Sequence, residues 1–192
     1  MKLHPLGQVR GGRGASARLP AVRIGILGAT GPAGRGLAAR LADVGHDVVA
    51  GSRDAAKAEA VVADLREQWG ERVARLTPGD NAAACDADVV VVAVNADAAL
   101  ATCRYFADQL QGRIVVSMAN DLTRNGSEFN AVLPPHGSIA KEMQALLWRS
   151  QVVTAFHLVP AAEFGALDEK MESDVRSEEH TSELQSRGLI SY

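Results

Sequence analysis

Short aliphatic runs at residues 24–27, 48–50, 89–94, 114–116 and 152–156 punctuate the chain. They carry apolar residues at successive positions rather than in alternation, the pattern of strands covered on both faces in a parallel sheet. Stretches of helical character separate them, predicted over 34–44, 55–70, 81–85, 97–110 and, behind a Ser138 cap, to residue 148. A further short strand is expected at 73–76. Residues 118–137 carry Asn, Pro and Gly but no run of either kind, so a long loop is expected there, of the sort that works at a site or moves freely.

The first strand runs directly into Gly28-Ala29-Thr30-Gly31-Pro32-Ala33-Gly34 and then a helix. Glycines at 28, 31 and 34 let the backbone turn sharply, approach a ligand and pack the helix on the strand. The new helix points unpaired N–H groups and a partial positive charge at the turn, which favours a pyrophosphate. The spacing is G-x-x-G-x-x-G; the G-x-G-x-x-G template fits from Ala29 only with alanine in the first glycine's place.

The second strand ends at Gly51-Ser52-Arg53, about 20 residues beyond that fingerprint, where dinucleotide folds distinguish their two cofactors. A carboxylate there accepts from a ribose 2′-hydroxyl; an arginine accommodates a 2′-phosphate. Ser52 and Arg53 point to NADP(H), Lys57 lies four residues on along the same helical face, and Asp54 intervenes as a charge that would repel a phosphate. For Lys57, a solvated surface position is an equally good reading. Val94 and Asn95 end the strand at 89–94 beside the first turn; Asn95 reads equally as a ribose or nicotinamide contact and as a helix N-cap. Asn120 and Asp121 open the long loop as substrate-side candidates, with surface turn residues the alternative. His157 ends the last strand at the same edge, where it reads as a substrate contact or as a hydrogen-bonded core histidine. The whole pattern predicts an α/β fold, a Rossmann-like doubly wound, mostly parallel sheet with helices on both faces.

Composition narrows the class. With 192 residues, 47% of them hydrophobic, the chain can bury one ordinary core and part of a second domain. A net charge of −3 conceals a basic stretch at 1–23 and an acidic one at 168–183. The basic stretch lacks the apolar centre of a signal peptide and the aromatic interleaving of a nucleic-acid binder, so a disordered leader over 1–21 is expected. No run is long enough to span a bilayer, and a cytoplasmic protein with small-molecule partners, no nucleic acid and no membrane is expected. Cys85 and Cys103 have no C-x-x-C spacing and read as small buried thiols; the five histidines form no cluster with metal-ligand spacing, so no metal is expected.

Taken together, GATGPAGRGLAARLADVGHDVVAGSR, the helix start Lys57-Ala58-Glu59-Ala60, the aliphatic strand to Val94 and FHLVPAAEFGALDEK at 156–170 resemble the NADPH-dependent reductases of the deazaflavin coenzyme F420. The resemblance covers 22–175. It implies that Thr30, Gly31, Pro32 and Ala33 cradle the pyrophosphate after Gly28, that Ser52, Arg53 and Lys57 hold the 2′-phosphate, and that Ala161, after Pro160, lies near the nicotinamide. Many relatives have a Pro-Trp pair where this chain has Asn95-Ala96. The implied reaction is reversible hydride transfer between NADP(H) and F420 as co-substrate, with a homodimer in the full-length parent. Both partners bring their own chemistry, so no catalytic side chain is expected, and no Ser/His/Asp triad or carboxylate pair is found.

The resemblance also sets expectations for the termini. A nucleotide-binding domain is expected over 22–160 and the start of a truncated C-terminal region over 161–175. From Arg176 the text RSEEHTSELQSR reads like an in-frame translation of a sequencing-library adapter, so 176–192 is expected to be an artefactual tail and the chain a fragment. Two other classes compete. A non-catalytic NADP-sensing module would bind without hydride transfer, and a reductase of another small substrate, such as an imine or a ferric complex, would share the cofactor domain. A short-chain dehydrogenase with a Tyr-x-x-x-Lys pair is disfavoured, because Gln109 stands at the fourth position after Tyr105.

Overall fold

The computed structural model describes residues 21–119, 122–125, 128–131, 134–171 and 178–179. Strands β1 (Arg23–Leu27), β2 (Asp47–Ser52), β3 (Leu76–Asp80), β4 (Val89–Val92), β5 (Ile114–Ser117) and β8 (Gln151–Thr154) lie parallel in the order β3-β2-β1-β4-β5-β8, with β9 (Glu178–Glu179) antiparallel beside β8. Strand order reverses at β1, which pairs with β2 on one side and β4 on the other. Such a switch point opens a crevice at the carboxyl ends of the strands.

Side chains along each strand alternate between two cores. Ile24, Ile26, Val48, Ala50, Val91 and Val116 pack with α1 (Pro32–Asp43), α2 (Ala55–Trp69) and α7 (Ala161–Gly165) on one face. Leu27, Val49, Val90, Val92 and Val115 pack on the other with α3 (Asn81–Cys85), α4 (Ala96–Tyr105), α5 (Ala107–Leu110) and α6 (Ile139–Leu146). Both faces are therefore covered, which accounts for aliphatic runs without polar alternation.

Three expectations are corrected. The strand expected at 73–76 begins at Leu76, because Val73 is buried in a 3-10 turn, Gly70–Val73, that closes α2. The real strand, β3, contains Pro78 and Gly79; it is the sheet edge, where a missing N–H costs no ladder bond on the open side. The helix expected at 97–110 is two helices, broken at Phe106, whose backbone leaves the helical region at φ −102° and ψ 19°. The expected loop at 118–137 holds an antiparallel hairpin of β6 (Leu122–Asn125) and β7 (Glu128–Ala131). Asn125 followed by glycine is a hairpin signal that carried no flanking aliphatic run to mark it. The expected cap on α6 is present, with Ser138 Oγ accepting from the Lys141 amide at 3.2 Å.

Segment 161–171 belongs to the same packed body. Phe164 is 1% exposed and packs with Leu37 and Ile26 in the α1 face of the core. Burying a ring of that size contributes about 1.5–3 kcal/mol. Residues 1–20 of the expected leader and 176–177 and 180–192 of the expected tail lie outside the described residues.

Candidate functional site

The turn after β1 is tied to the end of β2. The Gly28 and Ala29 amides both donate to the Gly51 carbonyl, at 3.2 and 2.9 Å, and the Gly31 amide donates to the Gly28 carbonyl at 3.1 Å. Gly28 has φ +85°, and a Cβ there would lie 2.6 Å from Val94 Cγ1. Gly31 differs: its backbone is extended, at φ −77° and ψ 159°, and a Cβ would meet nothing nearer than the Gly28 carbonyl oxygen at 3.6 Å. The fold thus requires glycine at 28 but leaves space beside 31, as close approach of a ligand demands. Pro32 opens α1, Gly31 is its N-cap, and no side chain caps the helix. Its first N–H groups face the turn with a partial positive charge.

At the tip of β2, Ser52 is 5% exposed and its Oγ accepts from the Asp54 amide at 3.2 Å. Asp54 is the N-cap of α2, where its Oδ1 accepts from the Ala56 amide at 3.1 Å. This engages the carboxylate that the sequence set against a phosphate. Arg53 and Lys57 are exposed, and their side chains have no ion-pair or hydrogen-bond partner among the described residues. Two unpaired cations beside a buried hydroxyl make a seat for a phosphate monoester.

Gly28, Thr30, Gly31, Ser52, Arg53 and Lys57 line one cleft of about 320 Å³, closed on the far side by Val94, Asn95, Ala98 and Thr102. Asn95 takes the N-cap position of α4 through its backbone, its carbonyl accepting from the Ala98 and Ala99 amides at 2.9 and 3.0 Å. Its side chain makes no capping bond and is exposed at the cleft. Asn81 also lines this cleft, and sequence reasoning missed it. A single Asn at the start of a predicted helix carries no spacing signal.

The remaining expected residues do not join the cleft wall. Pro32 and Ala33 lie at the start of α1, beside it. His157, Pro160 and Ala161 lie past the end of β8, where the chain leaves the carboxyl edge and reaches α1 through α7. His157 Nδ1 is enclosed with no partner, so the hydrogen-bonded core histidine is not what is found. Phe156, just before it, has φ 65°, an outlier for a bulky side chain, and its ring meets Phe164 edge-on at 5.9 Å. Asn120 and Asp121 lie outside the described residues.

Two arginines hold this returning segment to α1. Arg40 Nη2 donates to the carbonyls of Glu163 at 2.8 Å and Ala166 at 2.6 Å, and its Nε donates to that of Phe164 at 3.2 Å. Arg72 is bidentate on Asp43, at 2.9 and 3.0 Å, and also meets Asp168 at 2.6 Å and the Leu167 carbonyl at 2.8 Å. The hydrogen-bonded Arg72 guanidinium holds the Asp43 carboxyl below the usual carboxylate range.

Cys85 and Cys103 are buried and free. Burial pushes their thiols up to about 11 and about 12, which keeps them protonated and unreactive. Among the described residues there is no cluster able to hold a metal, and no helix is long and apolar enough to cross a membrane.

Residues 23–121 match the family model "NADP oxidoreductase coenzyme F420-dependent". The chain is 35% identical over 159 residues to the F420-dependent NADP reductase of Methanocaldococcus jannaschii, covering 80% of this chain and 71% of that protein. It is 30% identical to the F420-dependent NADP reductase of Methanothermobacter thermautotrophicus, covering 80% and 68%. Among solved structures it resembles a protein from Arthrobacter sp. FB24 described as a putative F420-dependent NADP reductase. The TM-score is 0.66 and the identity 24%, over 88% of this chain and 78% of that one, which establishes the fold alone.

Proposed function

The chain belongs to the coenzyme F420-dependent NADP oxidoreductase family, and from that premise we propose that the cleft over β1, β2 and β4 is the seat of NADP(H). The protein is an oxidoreductase that transfers a hydride between NADP(H) and coenzyme F420. The hydride chemistry is supplied by the nicotinamide and deazaflavin rings themselves when bound.

The chain's own residues bind and orient. The uncapped start of α1, reached through the open flank of Gly31, receives the diphosphate, with Thr30, Pro32 and Ala33 around it. Ser52, Arg53 and Lys57 take the 2′-phosphate at the tip of β2. Val94 and Asn95 carry the wall toward the nicotinamide. Ala161, Pro160 and His157 stand on the segment that returns from β8 and form the substrate side of the proposal. Precise holding of two flat rings, with water kept out, is the work such a site has to do.

The observation that carries this reading is the pair of unpartnered cations, Arg53 and Lys57, in one cleft with the glycine turn. Calorimetric titration with NADPH and NADH tests it: tighter binding of NADPH is expected, and equal affinity would remove the assignment. Mixing the protein with NADPH and oxidised F420 should bleach the deazaflavin absorbance; binding without bleaching would favour a redox-sensing module. A homodimer belongs to the same proposal and rests on family membership; light scattering that found a monomer would remove it.

A further inference from the structure

A helix of five residues, such as α7, cannot hold its own place, because nucleating so short a helix is unfavourable; its position is decided by what grips it. Two grips of different kinds are present. Phe164 is buried with Leu37 and Ile26, and burial of an apolar ring is non-directional. It holds α7 down on α1 while leaving a slide or turn along the groove open. Arg40, in the last turn of α1, is directional. Its guanidinium donates to the carbonyls of Glu163 at 2.8 Å, Ala166 at 2.6 Å and Phe164 at 3.2 Å, and reaches that of Glu169 at 3.5 Å. Every acceptor is main chain, and no carboxylate lies within ion-pair distance of Arg40 among the described residues. The fork therefore closes the carbonyl end of α7, where a helix cannot pair its own last carbonyls. A rigid planar donor set on several carbonyls at once is satisfied in one register only.

What moves with α7 is the segment assigned above to the substrate. Ala161 opens the helix just before the gripped carbonyls, and His157 and Pro160 precede it. Resting on that reading of residues 157–161, we propose that Arg40 is a positioning residue for hydride transfer. Its fork fixes the register of α7 on α1, and thereby the place of the deazaflavin relative to a nicotinamide whose diphosphate sits at the other end of α1. Arg40 touches neither ring. Its effect is on orientation, where a displacement of about 1 Å costs as much as 100-fold in rate. Arg72 grips the same segment farther on, at Leu167 and Asp168, where it secures the attachment rather than the register of α7.

The test compares the full chain with two variants. Arg40→Lys keeps the charge and loses the fork; Arg40→Met keeps only the stem. Each protein is titrated with NADPH by calorimetry, mixed with NADPH and oxidised F420 for single-turnover and steady-state bleaching, and followed by amide hydrogen exchange over 161–169. NADPH affinity should stay the same while exchange over 161–169 quickens. The single-turnover rate should fall about 10- to 100-fold in Arg40→Met, and Arg40→Lys should recover part of the loss. Unchanged exchange, with or without a slower rate, overturns the proposal and leaves the substrate-side reading intact. Faster exchange with the rate and the KM for F420 unchanged removes both, because the loosened segment would not be where F420 lies. A matching loss of NADPH affinity would place the effect of Arg40 on α1 and the diphosphate, and would overturn the proposal too. A parent protein that binds NADPH without bleaching F420 removes the hydride-transfer reading and the proposal together. If Arg40→Met does not fold, Arg40→Lys decides.

Discussion

Phe164 lies so close to Gly36 that a methyl group added at that glycine would come within 2.7 Å of the Phe164 Cβ and 2.8 Å of the Gly165 amide nitrogen. The contact joins the middle of α1 to α7, and one of its two atoms is backbone, which cannot swing aside. Alanine is the better helix former by about 1 kcal/mol, yet overpacking a fixed contact costs about 1–3 kcal/mol. Gly36→Ala is therefore expected to destabilise the fold by up to about 2 kcal/mol net. Urea unfolding followed by circular dichroism measures it, and an unchanged midpoint would show that the two helices part easily.

The two turn glycines should fail in different ways. Gly28→Ala forces φ +85° on a side chain that meets Val94 at 2.6 Å, so stability is lost with binding. Gly31→Ala meets no such contact and should leave the unfolding midpoint within about 0.5 kcal/mol of the parent. Its methyl group occupies the ligand's side of the turn, and NADPH affinity should fall at least tenfold by calorimetry. Retained affinity in Gly31→Ala would mean the diphosphate lies elsewhere.

On the proposed NADP(H) reading, Arg53→Ala removes one charge-assisted hydrogen bond to the 2′-phosphate, worth about 1.5–3 kcal/mol. NADPH binding should weaken by that amount while NADH binding stays the same. Equal losses for both dinucleotides would reject the phosphate role. Lys57→Ala should act in the same direction and less strongly, because Lys57 offers a point charge on a flexible stem.

The buried thiols give a pH dependence whose sign follows from burial. In the unfolded chain both cysteines ionise near 8.5, whereas in the fold they hold their protons to about 11 and about 12. The native state thus binds more protons above pH 8.5. This contribution is complete below that pH and is lost as pH rises from about 9 towards 12. The urea midpoint should fall between pH 8 and pH 10, and a Cys85→Ala, Cys103→Ala variant should fall less. Thiol reagents at pH 8 should label neither cysteine until denaturant is added; rapid labelling of the native protein would contradict their enclosure.

The parts of this fold that were legible in the chain are those where one strong constraint acts alone. Residues 24–27 and 89–92 are strands because only a covered parallel sheet accepts such runs, and the turn between β1 and α1 is legible because Gly28 is sterically obligatory. Edge strand β3 escaped because Pro78 and Gly79 argue against a strand wherever both neighbours must be paired, and here only one is. The break at Phe106 escaped because a helix of continuous apolar spacing can still kink. At the site, Arg53 and Gly31 announced themselves by position relative to a strand tip. Asn81 did not, since its place in the cleft wall comes from burial beside Gly51, which exists only in three dimensions.

The three carbonyls held by Arg40 belong to the end of α7, and the guanidinium itself rises from the last turn of α1. The helix proposed to lie under the diphosphate and the arm bearing Ala161 are consequently tied together as one lever. Any opening of the substrate side has to be taken up at residues 155–160, between β8 and that lever, where Phe156 already sits in a left-handed backbone conformation. In the proposed complex, that six-residue joint, rather than the glycine turn, is where the spacing between the two ring systems would be adjusted.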